Sequence, residues 1–195
     1  MNKTKQKITA YDIAAIGLMA AVVFVATNFK IYIPTAIGKT MIHFGNIFCL
    51  LSGLLLGGVR GGLAAGIGSA FFDVMDPLFV SSAPFTLVFK FAMGAVCGVI
   101  AHSGGSRGEK KAKNIIGALC GSVSYVILYL GKNFVEGYCL HHNPMNTVLA
   151  SLVQKGSVSL FNGVVAVIVS VLVAPLFLAA MKRAGIYRKL FPSQS

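Results

Sequence analysis

The sequence predicts an all-α integral membrane protein: a six-transmembrane-helix bundle, N-in/C-in, built as a single transmembrane domain over residues 1–195. Three observations carry that expectation. The chain is 56% hydrophobic and 11% charged with a mean hydropathy of +0.79, whereas a soluble domain is about 25% charged. Six apolar runs alternate with polar punctuation. Lysine and arginine are distributed unevenly between alternate connecting segments.

The runs cover about 11–29, 43–58, 60–76, 84–102, 114–136 and 151–181. A bilayer core about 30 Å thick takes about 20 helical residues, which the first, fourth, fifth and sixth runs supply. Lys3, Lys5 and Lys7 ahead of the first run resemble the start of a signal peptide. That run exceeds the usual apolar stretch of about 7 to 15 residues and lacks an A-x-A site, so it reads as an uncleaved span. The second and third runs are short and joined only by Gly57-Gly58-Val59-Arg60-Gly61-Gly62. Arg60 marks a membrane surface there and favours two spans over one re-entrant hairpin.

Orientation follows from the cost of translocating cations. With both ends inside, the cytoplasmic segments hold Lys3, Lys5, Lys7, Arg60, Arg107, Lys110, Lys111, Lys113, Lys182, Arg183, Arg188 and Lys189, which is 12 of the 17 basic residues. The net charge of +12 is therefore mostly a topology signal, and no nucleic-acid partner is expected. Cys49, Cys97 and Cys120 lie within apolar runs and Cys139 in an outer loop, with no disulfide or metal spacing. No cofactor or metal is expected.

Gly38-Lys39-Thr40 is how a phosphate-binding P-loop ends. The full pattern needs a glycine five positions before Gly38, where Ile33 stands, and Pro34 removes a further N–H donor. The stretch does not read as a nucleotide site.

Polar side chains inside a span are costly, about 2.5–3.5 kcal/mol for a central lysine on insertion scales, so each asks for a partner or a function. On the expected topology Lys90 lies about 9 Å below the outer surface, counting 1.5 Å per residue from Pro84. Lys132, Asn133 and Glu136 close span five, Lys155 opens span six with Asn162 at i+7, His43 and Asn46 begin span two, and Asp73 and Asp76 end span three. These groups gather in the outer half, whereas the inner half is almost purely apolar. The pattern describes an outward-opening polar cavity and not a continuous pore.

Some of these residues admit a plainer reading. Lys132 and Glu136, spaced i,i+4, either neutralise each other at the interface or meet a ligand, and Lys155 either snorkels to headgroups or does the same. Lys90, between Phe89 and Phe91, is harder to explain structurally, and Asn162 calls for a ligand or an interhelical hydrogen bond. His141 and His142 have no acidic or cysteine partner at metal spacing and read as solvated or as loop contacts to a ligand.

Small-residue stripes mark close helix packing in lipid. Ala10, Ala14, Gly17 and Ala21 form one in span one, open to another subunit. Gly58, Gly62, Gly66 and Ala70, beside Gly57, Gly61, Ala65 and Ser69, form two in span three that read as internal packing.

The blocks "IHFGNIFCLLSGLLLGGVRGGLAAGIGSAFFD" (42–73) and "SAPFTLVFKFAMGAVCGVIAH" (82–102), with the Ala10/Ala14 stripe, resemble the substrate-binding S components of energy-coupling factor (ECF) vitamin transporters. The likeness is to the riboflavin, pyridoxine and hydroxymethylpyrimidine branch. It implies a plasma-membrane protein that binds a vitamin or precursor from outside and docks on a transmembrane coupling subunit driven by two cytoplasmic ATPase subunits. It assigns Ala10, Ala14, Gly17 and Ala21 to docking. The 33–45 loop becomes a lid that brings Lys39 and Thr40 near the ligand, and the substrate-binding candidates are Lys39, His43, Asn46, Lys90, Asn133, Glu136, Lys155 and Asn162. With no tryptophan in the chain, a ring ligand stacks on Phe or Tyr, such as Phe89, Tyr129 or Tyr138. Lys90 and Lys155 suit an anionic or electron-rich acceptor edge.

Two other functions are disfavoured. An intramembrane protease wants a nucleophile facing a histidine, and Gly66-Ile67-Gly68-Ser69 has none at comparable depth. A self-sufficient carrier calls for inverted repeats or polar groups along the whole path, and neither is seen.

Overall fold

The computed structural model describes residues 8–191 and is mostly helical. Helix α1, Ala10–Asn28, starts at a reciprocal capping box: the Thr9 hydroxyl accepts from the Asp12 N–H, and the Asp12 carboxylate accepts from the Thr9 N–H at 2.8 Å. The chain then departs from the all-α expectation. Strands β1 (Lys30–Pro34) and β2 (Lys39–His43) form an antiparallel hairpin, with Lys30 opposite His43 and Pro34 opposite Lys39. Isoleucine, tyrosine and threonine crowd these segments, residue types that sit well on a pleated ribbon. The turn closes at Gly38, whose φ of +73° is open to glycine at little cost. His43 therefore ends a strand, and the helix expected from residue 43 begins two residues later.

Helices α2 (Gly45–Leu56) and α3 (Gly58–Met75) are separated by Gly57 alone, at φ +85°. At 1.5 Å per residue α2 is about 18 Å long, well short of a bilayer core. Helix α4 (Ala83–Ala101) follows a single 3₁₀ turn and carries Pro84 in its first turn, where a missing N–H costs nothing. Helix α5 (Lys111–Phe134) runs on through a wide π-helical stretch, Val135–Leu140. Helix α6 (Met145–Arg183) has 39 residues, hence about 58 Å, and so tilts in a bilayer or projects beyond it. Helix α7 (Ile186–Leu190) is a short C-terminal turn.

Among the described residues, four helical segments are long and apolar enough to cross a membrane: Ala10–Asn28, Val80–Ala101, Lys111–Leu140 and Met145–Arg183. Their exposed faces carry large apolar side chains such as Leu18, Val99, Ile127 and Leu172, which suits a lipid surround.

Helix α3 lies among α1, α2 and α4 at backbone distance. A Cβ at Gly61 would stand 2.6 Å from the Ser52 carbonyl, and at Gly62 and Gly66 2.7 Å from the carbonyls of Phe91 and Leu87. The small-residue rows of this helix are thus consumed by internal packing, as expected. The core alongside is aliphatic, with Val23, Leu50, Leu51, Leu54 and Met93 almost fully enclosed.

The end opposite the hairpin is tied by charge. Asp12, buried, pairs with Arg60 at 3.0 Å, and Arg60 also donates to the Leu190 carbonyl. Glu109 accepts from Lys182 at 2.5 Å and from the Tyr187 hydroxyl at 2.9 Å. Those two hydrogen bonds hold its carboxyl below the ordinary value of 4.5. The basic residues assigned to the cytoplasm from Arg60 onward belong to this end, and Lys3, Lys5 and Lys7 lie outside the described residues.

A polar cavity under the hairpin

At the hairpin end, α3, α4, α5 and α6 diverge around a cavity of about 280 Å³ with the β-hairpin across it. The hairpin is held on two sides. The Lys30 ammonium and the Tyr32 hydroxyl both donate to Asp76, at 2.7 and 2.5 Å. Across the cavity, Gln154 accepts from the Ala36 N–H at 2.7 Å, and Asn162 donates to the Met41 carbonyl at 2.9 Å. The demand Asn162 makes from inside an apolar helix is thus met by hairpin backbone.

Helix α5 provides one polar face. Tyr125, Tyr129, Lys132, Asn133 and Glu136 follow at spacings of four, three, one and three, and all five line the cavity. The Tyr125 and Tyr129 rings stack at 5.7 Å, forming an aromatic ledge. Above it Lys132 pairs with Glu136, and the Asn133 Oδ1 accepts from the Lys155 Nζ at 2.6 Å.

Helix α4 contributes Lys90, which is 3% exposed. Its Nζ donates to the Asn46 Oδ1 and stands 3.6 Å from the centroid of the Tyr125 ring. Neither contact neutralises a charge. Asp73 lines the same wall, so Lys90 and Asp73 together present a cation and a carboxylate to the cavity.

Of the eight substrate-binding candidates, Lys39, His43, Lys90, Asn133, Glu136, Lys155 and Asn162 line this one space. Asn46 does not: it is buried behind Lys90 and orients that side chain. His43 accepts from the Gly45 N–H through Nδ1 at 3.1 Å, leaving Nε2 as its proton-bearing nitrogen. Among the suggested stacking rings, Phe89 and Tyr129 are on the wall, whereas Tyr138 stacks on Phe134 at 5.8 Å and lies off it. His141 also reaches the wall.

Wall residues that sequence reasoning did not single out include Tyr125, Ser151 and Ser159, and Asp73, placed in the outer polar cluster from sequence but not among the substrate contacts, lines the wall as well. Tyr125 carried a usable signal, one turn before Tyr129 and two before Lys132. Beneath Lys90 the described residues meet in the aliphatic core, so the cavity has a floor.

The fold and the floored polar cavity define a membrane protein with room for a small molecule at one face. The family model of the S component of the ECF-type riboflavin transporter matches residues 7–183, and the chain belongs to that family. It is therefore a substrate-binding component of a membrane transporter and a multi-pass protein of the plasma membrane. A protein of Pyrococcus woesei, described as an uncharacterized protein in gap 3'region, is 30% identical over 109 residues, covering 56% of this chain and 70% of that protein.

Proposed function

We propose that this chain is the high-affinity capture subunit of an ECF-type ABC importer, taking a water-soluble vitamin or precursor built on a flat heterocycle from the extracellular side. The supporting observation is the cavity itself. Buried donors and acceptors from four helices surround an aromatic ledge, and the core directly below Lys90 is aliphatic. The family description points first to riboflavin; pyridoxine and hydroxymethylpyrimidine share the same flat, polar-edged chemistry.

In this reading the four long spans, with α2 and α3 as the second and third crossings, make six, and both termini are cytoplasmic. The ligand contacts are Lys39, His43, Lys90, Asn133, Glu136, Lys155 and Asn162, with Asn46 positioning Lys90. The hairpin is the lid. Because the cavity has a floor, release to the cytoplasm requires the whole bundle to reorient on its coupling subunit, with two ATPase subunits supplying the work.

Support for docking through α1 comes from exposure: Ala10, Ala14, Gly17 and Ala21 all face outward, and a Cβ on Gly17 would touch nothing within 4 Å. A small-residue stripe turned away from its own bundle suits close approach by another helix. The deciding experiment is mass spectrometry of small molecules released from detergent-purified, unwashed protein. A stoichiometric heterocyclic vitamin is the expected result. An empty protein that also ignores a panel of water-soluble vitamins would overturn the reading.

A further inference from the structure

The cavity has two polar levels, and their charges do not balance in the same way. Lys90 faces Tyr125 at the deeper level, and Lys132 lies seven residues further out on α5, about 10 Å along the axis. Helix α4 gives a similar spacing, about 12 Å from Lys90 out to Ser82, whose hydroxyl lies 3.4 Å from the Lys132 Nζ. The deeper level holds one ammonium, Lys90, and one carboxylate, Asp73. The outer level holds the ammonium groups of Lys132 and Lys155 and one carboxylate, Glu136, and the exposed Lys39 of the hairpin adds a further ammonium to the wall.

That carboxylate is taken by Lys132. Lys155 is only 8% exposed, so solvent does little to screen it, and its hydrogen-bond acceptor is the neutral amide oxygen of Asn133. A buried ammonium paired only with an amide is left with uncompensated charge, which a bound anion would relieve.

We propose that Lys155 and Lys132, flanking Asn133, form an anion subsite. The substrate is then a heterocycle carrying one carboxylate or phosphate group, with its ring on the Tyr125–Tyr129 ledge and the anion about 10 Å above the Lys90 level. This rests on the capture reading above and moves its substrate class from the neutral vitamins named there to carboxylated or phosphorylated relatives of such rings. Asp73 and Lys90 at the deep end match the mixed acceptor and donor edge of a nitrogen heterocycle, and the outer lysines select for charge.

The test compares matched neutral and anionic probes by isothermal titration on purified, ligand-stripped protein: pyridoxine against 4-pyridoxate and pyridoxine 5′-phosphate, and riboflavin against its 5′-phosphate. The anionic member of at least one set is expected to bind at least about tenfold tighter, an advantage that shrinks as salt is raised. Lys155→Gln abolishes the preference and Lys155→Arg keeps it; Lys132→Gln, at a more exposed position, reports the same loss if the first variant does not fold. Carboxylate and phosphate are told apart by which set shows the preference. Equal or tighter binding of the neutral members, or a preference that survives both glutamine variants, overturns the anion subsite and leaves capture standing. Failure of every probe to bind overturns the anion subsite, and capture is then decided by the co-purification and vitamin-panel result.

Discussion

Replacing Lys90 by methionine separates a ligand-binding group from a structural one, because methionine fills a similar volume with an equally unbranched chain. The substitution removes the Nζ that donates to Asn46 and sits 3.6 Å from the Tyr125 ring centroid. In the ligand-free protein it forfeits a charge-assisted hydrogen bond and strands the Asn46 oxygen, costs of about 1.5–3 and 1–3 kcal/mol. Against this stands relief from burying an ammonium, worth several kcal/mol in a protein interior. The opposing terms are similar in size, so ligand-free stability should shift by no more than about 2 kcal/mol. Adding Asn46→Leu, which removes the stranded oxygen, should raise it again.

The bound state has no such offset. A ligand acceptor that loses a buried charged donor loses about 1.5–3 kcal/mol, a rise in Kd of about 10- to 150-fold. Thermal unfolding of the stripped variant and titration with the molecule that co-purifies with the wild type measure the two effects separately. An unchanged Kd in a folded variant would refute the reasoning. So would collapse of the ligand-free fold, which would make Lys90 a structural residue.

Three further outcomes are expected. Ala14→Trp, on the outward face of α1, should leave ligand affinity within about twofold and ligand-free stability within about 0.5 kcal/mol, yet reduce uptake by cells carrying the full transporter at least about tenfold. Normal uptake would remove α1 from the docking surface. Gly66→Leu drives a side chain at the Leu87 carbonyl, 2.7 Å from the new Cβ, and should cost about 1–3 kcal/mol, read as a lower unfolding temperature with the ligand absent. Glu109, its carboxyl held low by Lys182 and Tyr187, stabilises the α7 end fully above the ordinary glutamate value of 4.5, and that contribution is lost as pH falls through its lower folded value. Hydrogen-exchange protection at Ile186–Leu190, taken relative to the intrinsic rate at each pH, should therefore fall on acidification, and Glu109→Gln should flatten that response.

Much of the site was legible because burying charge in a membrane is expensive. Lys90, Lys155 and Asn162 stand out in apolar runs, and seven of the eight proposed contacts share a wall. The α3 stripes were legible for a similar reason, since consecutive rows of glycine serve little purpose except close approach. The hairpin was missed because hydropathy reads 30–43 only as a polar gap, although Lys30-Ile31-Tyr32-Ile33 and Thr40-Met41-Ile42 carry strand-forming residues. Helix ends were missed where apolar content stops before backbone geometry does. Helix α6 starts at Met145, six residues before the apolar run, and the α5 rod continues through its π stretch to Leu140. Tyr125 was overlooked because a tyrosine in a span looks ordinary until Lys90 is seen lying against it.

The ion-paired end opposite the cavity bears on the energy of moving this protein in lipid. Asp12 with Arg60, and Glu109 with Lys182, are already matched within the chain. A lone charge drawn toward hydrocarbon costs about 2.5–3.5 kcal/mol on insertion scales, whereas a matched pair moves as a dipole. If the bundle topples to deliver its cargo, these pairs act as ballast that has shed most of its electrical weight. The barrier is then set more by the unpaired lysines of that face and the water they drag with them.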